Sequence, residues 1–156
     1  MDAVGLSILE QELGADLVVL RDASAKARQR LSERTPGFAE AAAYELARHY
    51  TVLEKALERI CQTFENHFDK RADYHERLLQ RVGLDLPGIR PAFIPSGAVA
   101  PLRELKGFRH VVRHAYDLAL RPERLDELTA IAEKVSTDFE AWLKTFVTTV
   151  RKEQGW

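Results

Sequence analysis

The sequence predicts an all-α fold, an antiparallel four-helix bundle with a short extra helix, in a single domain over residues 1–156. Three observations favour this fold. Apolar residues recur every three or four positions along most of the chain, which is the period of an amphipathic helix. Seven of the fourteen glycines and prolines lie between residues 83 and 101, so the rest of the chain is almost free of helix breakers. Outside that segment, no sustained alternation of apolar and polar residues indicates a strand.

The first half of the chain predicts two long helices and a short one. The first helix runs over about residues 4–33, where leucines recur at helical spacing. Thr35-Pro36 then marks a break and a restart, because proline suits the first turn of a helix. The second helix carries an apolar stripe to about residue 69, and the short helix extends from Asp73 to Val82. The leucines of the first helix are Leu6, Leu9, Leu13, Leu17, Leu20 and Leu31.

The second half predicts two more long helices after an irregular connection at residues 83–100. Pro101 opens a helix that reaches Leu120, and Pro122 opens another that reaches about Lys152. Apolar residues in the connection are expected to tie it to the bundle, so we predict a packed crossover in preference to a lid or a partner surface. These residues are Ile89, Phe93, Ile94 and Val99.

Charge is balanced over the whole chain but uneven along it. The 23 Lys and Arg against 24 Asp and Glu give a formal net charge of −1, which argues against a broad nucleic-acid-binding surface. Residues 1–20 hold four acids and no Lys or Arg, whereas residues 101–124 hold six basic residues against three acids. The near-neutral total therefore hides one basic helix.

The sequence also bears on the compartment. The one cysteine, Cys61, excludes an internal disulfide and lies on an apolar stripe, where it is expected to be a core residue. No run of 18 uncharged apolar residues predicts a membrane span, and the acidic N-terminal segment lacks the basic flank of a signal peptide. These features predict a cytoplasmic protein without a membrane segment.

The helix at 101–120 has the densest polar pattern in the chain. On a helical projection one side is apolar, and we expect this side to face the core. It comprises Phe108, Val111, Val112, Ala115, Leu118 and Ala119. One polar flank comprises Arg109, Arg113 and Tyr116, and the flank beside it comprises His110, His114 and Asp117.

Three interpretations fit this polar face. Imidazoles beside guanidiniums suit RNA cleavage, in which an imidazole takes a proton from a ribose 2′-hydroxyl and a guanidinium neutralises charge on the phosphate. Alternatively, His110, His114 and Asp117 offer three metal ligands, although the neighbouring guanidiniums oppose a bound cation. The third interpretation is a solvated helix face without chemistry.

The motif in this helix is similar to that of a known family. Residues 107–116 read Gly-Phe-Arg-His-Val-Val-Arg-His-Ala-Tyr, and this R-x4-H-x-Y pattern resembles the signature of HepT-like ribonuclease toxins in the HEPN superfamily. The lead from Leu102 to Leu105 resembles that family's approach to the motif, and Asp73 to Leu79 resembles its short aromatic–histidine helix. The resemblance covers most of the chain, from the second helix to the end, and implies the same all-α bundle.

The resemblance implies a metal-independent endoribonuclease without a cofactor, which acts as a homodimer whose two protomers line one cleft. Arg109 would bind and stabilise the scissile phosphate, and His114 would be the general acid or base, with His110 and Arg113 in support. Arg109 and His114 lie 140° apart on one helix, so a second copy across a two-fold axis would help to aim them at one phosphate. The family typically has a small polar residue at the position of His110, which leaves open which histidine transfers the proton.

The resemblance also implies partners. The substrate would be RNA, and an MNT-type nucleotidyltransferase antitoxin would silence the nuclease by transferring AMP to Tyr116. The alternative function is a non-catalytic helical partner that binds a nucleotidyltransferase or its substrate. The other histidines are expected to be structural: His49 and His67 as surface or satisfied boundary residues, and His75 in packing or capping the short helix.

Overall fold

The computed structural model describes residues 1–65, 72–114 and 119–156. In these ranges the chain forms five α-helices and one short 3₁₀ turn. They are α1 (Ala3–Glu33), α2 (Phe38–Glu65), α3 (Tyr74–Val82), the 3₁₀ turn (Ser96–Ala98), α4 (Val99–His114) and α5 (Pro122–Gln154). The only β pairing in these ranges is an isolated bridge between Leu86 and Arg90. Four long helices with one short one confirm the predicted all-α bundle.

The four long helices enclose one apolar core. α1 lies against α2 and α5, and α2 also contacts α3 and α4. Every leucine predicted to face inward on α1 is buried, because the helical spacing places all of them on one stripe. Cys61 is buried in the same core, as predicted, and burial raises the pKa of its thiol to about 12. Among the described residues, no helix has the length and apolar character needed to cross a membrane.

The bounds of α4 differ from the prediction at both ends. α4 begins at Val99, two residues before Pro101, because the first turn of a helix tolerates a proline. Its described part ends at His114, and residues 119–121 are not helical, so the prediction of a helix to Leu120 was wrong. Arg121 has an extended backbone, with φ −83° and ψ 124°, since a residue before a proline avoids the helical region. The chain uses this stretch to turn into α5.

The connection between α3 and α4 packs onto the bundle, as predicted. Phe93 and Ile94 are buried, and the Phe93 ring meets Phe139 and Phe146 of α5 edge-on, with centroids 5.3 and 5.4 Å apart. The prediction was wrong for Ile89, which is 50% exposed because it lies at the tip of a turn closed by backbone hydrogen bonds. The aromatic contacts with α5 therefore fix the middle of the connection.

Arg90, in the same connection, is a buried charge that the sequence pattern did not reveal. Its guanidinium donates to Glu65 Oε1 from Nε at 2.9 Å and from Nη2 at 2.6 Å. It also donates to the backbone carbonyls of Arg81, Leu84 and Pro91. The side chain of Arg90 is fully buried and that of Glu65 nearly so. A buried ion pair thus joins the connection to the end of the described part of α2.

His49 lies inside the bundle and not at its surface or boundary, so that part of its prediction was wrong. It is fully buried, and its Nε2 is 2.9 Å from Ser136 Oγ, which in turn lies 3.3 Å from Ser24 Oγ. Burial lowers the pKa of His49 to about 4, so the imidazole is neutral at pH 7. The residue joins α1, α2 and α5 through a small polar cluster, which is a structural role.

Candidate active site

A cleft of about 330 Å³ lies between the start of α3 and the polar face of α4. Its α4 wall consists of Lys106, Gly107, Arg109, His110, Arg113 and His114, and its other wall of Ala72, Asp73, His75 and Glu76. The cleft therefore brings together four of the five predicted site residues. The fifth, Tyr116, lies outside the described residues, as do Ala115, Asp117 and Leu118.

α4 is rotated by about a quarter turn from its predicted orientation. Its buried residues are Leu102, Leu105 and Arg109, whereas Phe108 is half-buried and Val111 is 41% exposed. Phe108 and Val112 of the predicted stripe pack against the core, whereas Val111 and Ala119 are exposed, so the expectation that this stripe faces the core is confirmed only in part. Leu102 and Leu105 are buried on the same side of α4 as Arg109, so apolar burial and the ion pair of Arg109 with α2 both favour this orientation.

Arg109 lies at the floor of the cleft and is only 5% exposed. Its Nη2 donates to both carboxylate oxygens of Glu54 at 3.0 Å, and its Nη1 donates to Thr51 Oγ1 at 3.3 Å. Its guanidinium carbon lies 4.6 Å from the centroid of the Tyr50 ring, a cation–π contact. The predicted phosphate-binding arginine is thus neutralised by a carboxylate of the same chain.

Glu54 is a site residue that the sequence reasoning missed. It occupies the apolar stripe of α2, four residues after Tyr50 and three before Leu57, and its side chain is 9% exposed. A charge on a core-facing stripe needs a buried partner, since an unpaired carboxylate is costly to desolvate. A glutamate at that position therefore predicts a buried cationic partner on a facing helix, and this partner is Arg109.

His75 meets the same carboxylate from α3. Its Nδ1 lies 2.5 Å from Glu54 Oε2, and its side chain is 51% exposed on the cleft wall. Of the two expected roles of His75, capping was wrong because the N-cap of α3 is Asp73, whereas packing is confirmed by the edge-on contact of its ring with Tyr74, with centroids 5.3 Å apart. Glu54 therefore links a residue of α4 with a residue of α3 at the base of the cleft.

Glu76 of α3 forms ion pairs with two basic residues of α4. Arg103 donates to Glu76 Oε1 at 2.8 and 2.5 Å, and Lys106 donates to Oε2 at 2.6 Å. These hydrogen bonds hold the pKa of Glu76 at about 2, well below its ordinary value. Arg113, by contrast, is exposed and forms no ion pair within the described part of the chain. It is therefore the exposed guanidinium of the cleft wall.

His110 and His114 lie one turn apart on α4, and both are exposed. Their ring centroids are 4.5 Å apart. Over residues 1–65, 72–114 and 119–156, no group of three or more His, Cys, Asp or Glu side chains is arranged to hold a metal ion. The metal interpretation also needed Asp117, which is not described. The two imidazoles are thus available to the cleft as a pair.

Comparison with known proteins supplies one finding about the family. A family model with the description "HepT-like protein" matches residues 41–150, which is more than two thirds of the chain. The match includes every residue that lines the cleft, and Glu54 beneath it. No curated protein and no solved structure matches the chain at a significant level.

Proposed function

Because the chain belongs to the HepT-like family of the HEPN superfamily, we propose that it is the toxin of a toxin–antitoxin system and acts as a metal-independent endoribonuclease. The observation that carries the proposal is the cleft in which His110, Arg113 and His114 are exposed beside the buried Arg109. Imidazoles transfer protons near neutral pH, and guanidiniums bind phosphate oxygens. These are the groups that cleavage of a phosphodiester needs.

The reaction uses a nucleophile that RNA itself carries. A base removes the proton of the ribose 2′-hydroxyl, the 2′-oxygen forms a bond to phosphorus, and the bond from phosphorus to the 5′-oxygen breaks. An acid gives a proton to that 5′-oxygen, so the products are a 2′,3′-cyclic phosphate and a 5′-hydroxyl. His114 is the proposed acid or base, with His110 and Arg113 in support. No metal-bound water is required, because the attacking oxygen belongs to the substrate.

Arg109 keeps a role in this proposal despite its burial. A guanidinium has five N–H donors, and the contacts of Arg109 with Glu54 and Thr51 come from Nη2 and Nη1 and use at most three of them. Arg109 also lines the cleft. We assign the remaining donors to the negative charge that grows on the phosphate during cleavage. The arginine then binds substrate and holds Glu54 at the same time.

The proposal includes a homodimer in which both copies contribute motif residues to one cleft. It also includes an MNT-type nucleotidyltransferase as the antitoxin, with Tyr116 as the acceptor of AMP. Tyr116 follows His114 by two residues and Arg113 by three. An AMP group at that point in the motif adds a bulky anion, which opposes binding of RNA phosphate by the same basic helix.

The nuclease proposal predicts that the purified protein degrades RNA in the presence of EDTA. His114→Ala is expected to slow this cleavage by at least about 100-fold, because proton transfer by a positioned side chain contributes about that much or more. Gel analysis of a labelled RNA measures the rate, and circular dichroism checks the helix content. Val111→Ala is the matched control, since Val111 is exposed on α4 but outside the cleft. Equal cleavage by His114→Ala would sink the motif assignment.

The antitoxin proposal predicts that incubation with the nucleotidyltransferase of the neighbouring gene and ATP adds AMP to Tyr116. Intact-mass and peptide mass spectrometry locate the modification. Tyr116→Phe is expected to accept no AMP, because it lacks the phenol oxygen. Tyr44→Phe is the matched control, since Tyr44 is the exposed tyrosine of α2 and lies outside the motif. AMP on any residue other than Tyr116 in the wild-type chain contradicts the proposal.

The pairing of Arg109 with Glu54 gives one reason to consider a non-catalytic function. An arginine that is neutralised before substrate arrives suits a structural role as well as a catalytic one. A chain that binds a nucleotidyltransferase, but leaves RNA intact in EDTA and with added divalent metal, would have this alternative function. The cleavage assay above therefore separates the two.

A further inference from the structure

The cleft contains a third histidine to which the proposed function gives no task. His75 is the second residue of α3, so it belongs to the wall that faces α4. About half of its side chain is exposed, and its Nδ1 lies 2.5 Å from Glu54 Oε2. The ring is therefore anchored at one edge and open at the other.

The contact with Glu54 determines which nitrogen of His75 can act as a base. A carboxylate only accepts hydrogen bonds, so the shared hydrogen belongs to Nδ1. In a neutral imidazole this leaves the lone pair on Nε2, which lies across the ring from Nδ1. Since Nδ1 points to a buried carboxylate, Nε2 lies on the edge turned away from it. A carboxylate that fixes a histidine in this way is the arrangement by which many enzymes orient a general base.

Glu54 is itself held in place. Both of its oxygens accept hydrogen bonds from Nη2 of Arg109 at 3.0 Å, and its side chain is 9% exposed. Turning the carboxylate would break these charge-assisted hydrogen bonds in a buried setting. The orientation of His75 therefore derives from the ion pair that joins α2 to α4.

Within the part of the chain that the structure describes, the two histidines of α4 have no such carboxylate partner. His110 and His114 contact each other through their rings, and within the described residues neither has a carboxylate on a ring nitrogen. A protonated imidazole carries a hydrogen on both ring nitrogens, so it can donate a proton without a partner that fixes its tautomer. The three cleft histidines thus divide into one oriented ring on α3 and two freer rings on α4.

We propose that His75 is a catalytic residue of the cleft and serves as the general base, with His114 as the general acid; this inference rests on the proposed ribonuclease function. Nε2 of His75 takes the proton of the 2′-hydroxyl while the 2′-oxygen forms its bond to phosphorus. Protonated His114 gives its proton to the 5′-oxygen while the bond from phosphorus to that oxygen breaks. The substrate gives one proton to His75 and receives one from His114, so the step needs no co-reactant. Glu54 is a positioning residue that acts through His75.

The experiment compares two RNA substrates that differ at the cleaved bond, one with its natural 5′-oxygen and one with sulfur in that place. A thiolate leaves without being protonated, so the sulfur substrate needs the base but not the acid. We expect His114→Ala to be at least about 100-fold slower than wild type on natural RNA and within about 10-fold on the sulfur substrate. We expect His75→Ala to be about 100-fold slower on both substrates.

Gln80→Ala is the matched control, because Gln80 is exposed on α3 but does not line the cleft. It is expected to keep both rates within about twofold of wild type. The inference is overturned if His75→Ala cleaves natural RNA as fast as wild type, or if the sulfur substrate rescues His75→Ala. If wild-type protein cleaves neither substrate, the proposed ribonuclease function fails, and the role of His75 as a base fails with it.

The positioning role of Glu54 has a readout that does not depend on cleavage. At about pH 8, above the ordinary pKa of histidine, ¹⁵N NMR of the imidazoles reports which ring nitrogen carries the hydrogen. We expect the Nδ1–H form of His75 in wild-type protein and a mixture of both forms in Glu54→Gln. We also expect Glu54→Gln to lower kcat by about 10-fold or more with little change in KM. The Nε2–H form in wild-type protein would overturn the assignment.

Discussion

Arg109→Leu is expected to lower the free energy of unfolding by about 3–5 kcal/mol and to abolish RNA cleavage. The substitution leaves the Glu54 carboxylate buried without the two hydrogen bonds from Nη2, and a buried charge that has lost its partner is strongly destabilising. It also removes the cation from the floor of the cleft. Urea unfolding followed by circular dichroism measures the stability, and the EDTA assay measures cleavage below the unfolding range.

A second variant separates the structural effect from the catalytic one. Arg109→Leu combined with Glu54→Leu replaces both charges with apolar groups, which is expected to recover most of the lost stability. Cleavage should stay lost, because the cleft then has neither the arginine nor the carboxylate that holds His75. Arg113→Leu is the matched control for charge and should change stability by less than about 0.5 kcal/mol. Unchanged urea unfolding of Arg109→Leu would contradict the buried pair.

Glu65→Leu is expected to destabilise the protein by a similar amount, about 3–5 kcal/mol, at a place remote from the chemistry. It leaves the guanidinium of Arg90 without a carboxylate partner, since this side chain is fully buried and Glu65 is the only carboxylate it contacts within the described residues. Unlike Arg109→Leu, this variant should retain its cleavage rate per folded molecule, since neither residue lines the cleft. Urea unfolding and the EDTA assay together measure both effects.

The matched double variant, Glu65→Leu with Arg90→Met, should recover most of that stability, because no buried charge is left without a partner. Arg28→Ala is the control for an exposed ion pair. Arg28 joins α1 to Asp126 and Glu133 of α5 on the surface, so its loss should change the free energy of unfolding by no more than about 1 kcal/mol. If Glu65→Leu is no more destabilising than Arg28→Ala, the connection is not held by the buried pair.

The helices could be predicted from the sequence because they depend on local pattern. The leucines of α1 and the proline that opens α5 carry their own periodicity and backbone preference, and both helices agree with the prediction. The end of α4 could not be predicted in this way. The motif from Arg109 to Tyr116 continues a helical pattern, but the turn into α5 takes up residues 119–121. The end of a helix that must turn into the next one depends on tertiary packing, and local sequence pattern does not contain that information.

The site divides along the same line. The basic, histidine-rich face of α4 could be predicted, since its residues follow one another at helical spacing. Its orientation could not, because the side that carries Leu102, Leu105 and Arg109 is buried, and the partner of Arg109, Glu54, lies 55 residues away in the chain. For His75 the sequence predicts a structural role, because nothing in its own segment reveals that the Glu54 carboxylate of α2 lies beside it. Contacts between distant segments decide such roles.

The Glu54 carboxylate has a consequence for the life of the chain in the cell. It joins three helices that are far apart in sequence, so the cleft is complete only after α4, which ends its described part at His114, has docked onto α2. A nascent chain that has left the ribosome only as far as the end of α3 contains Glu54 and His75, but it lacks Arg109 and both histidines of α4. Under the proposed ribonuclease function, cleavage of RNA therefore begins only after the chain has folded, which would protect the messenger and the ribosome that are producing it.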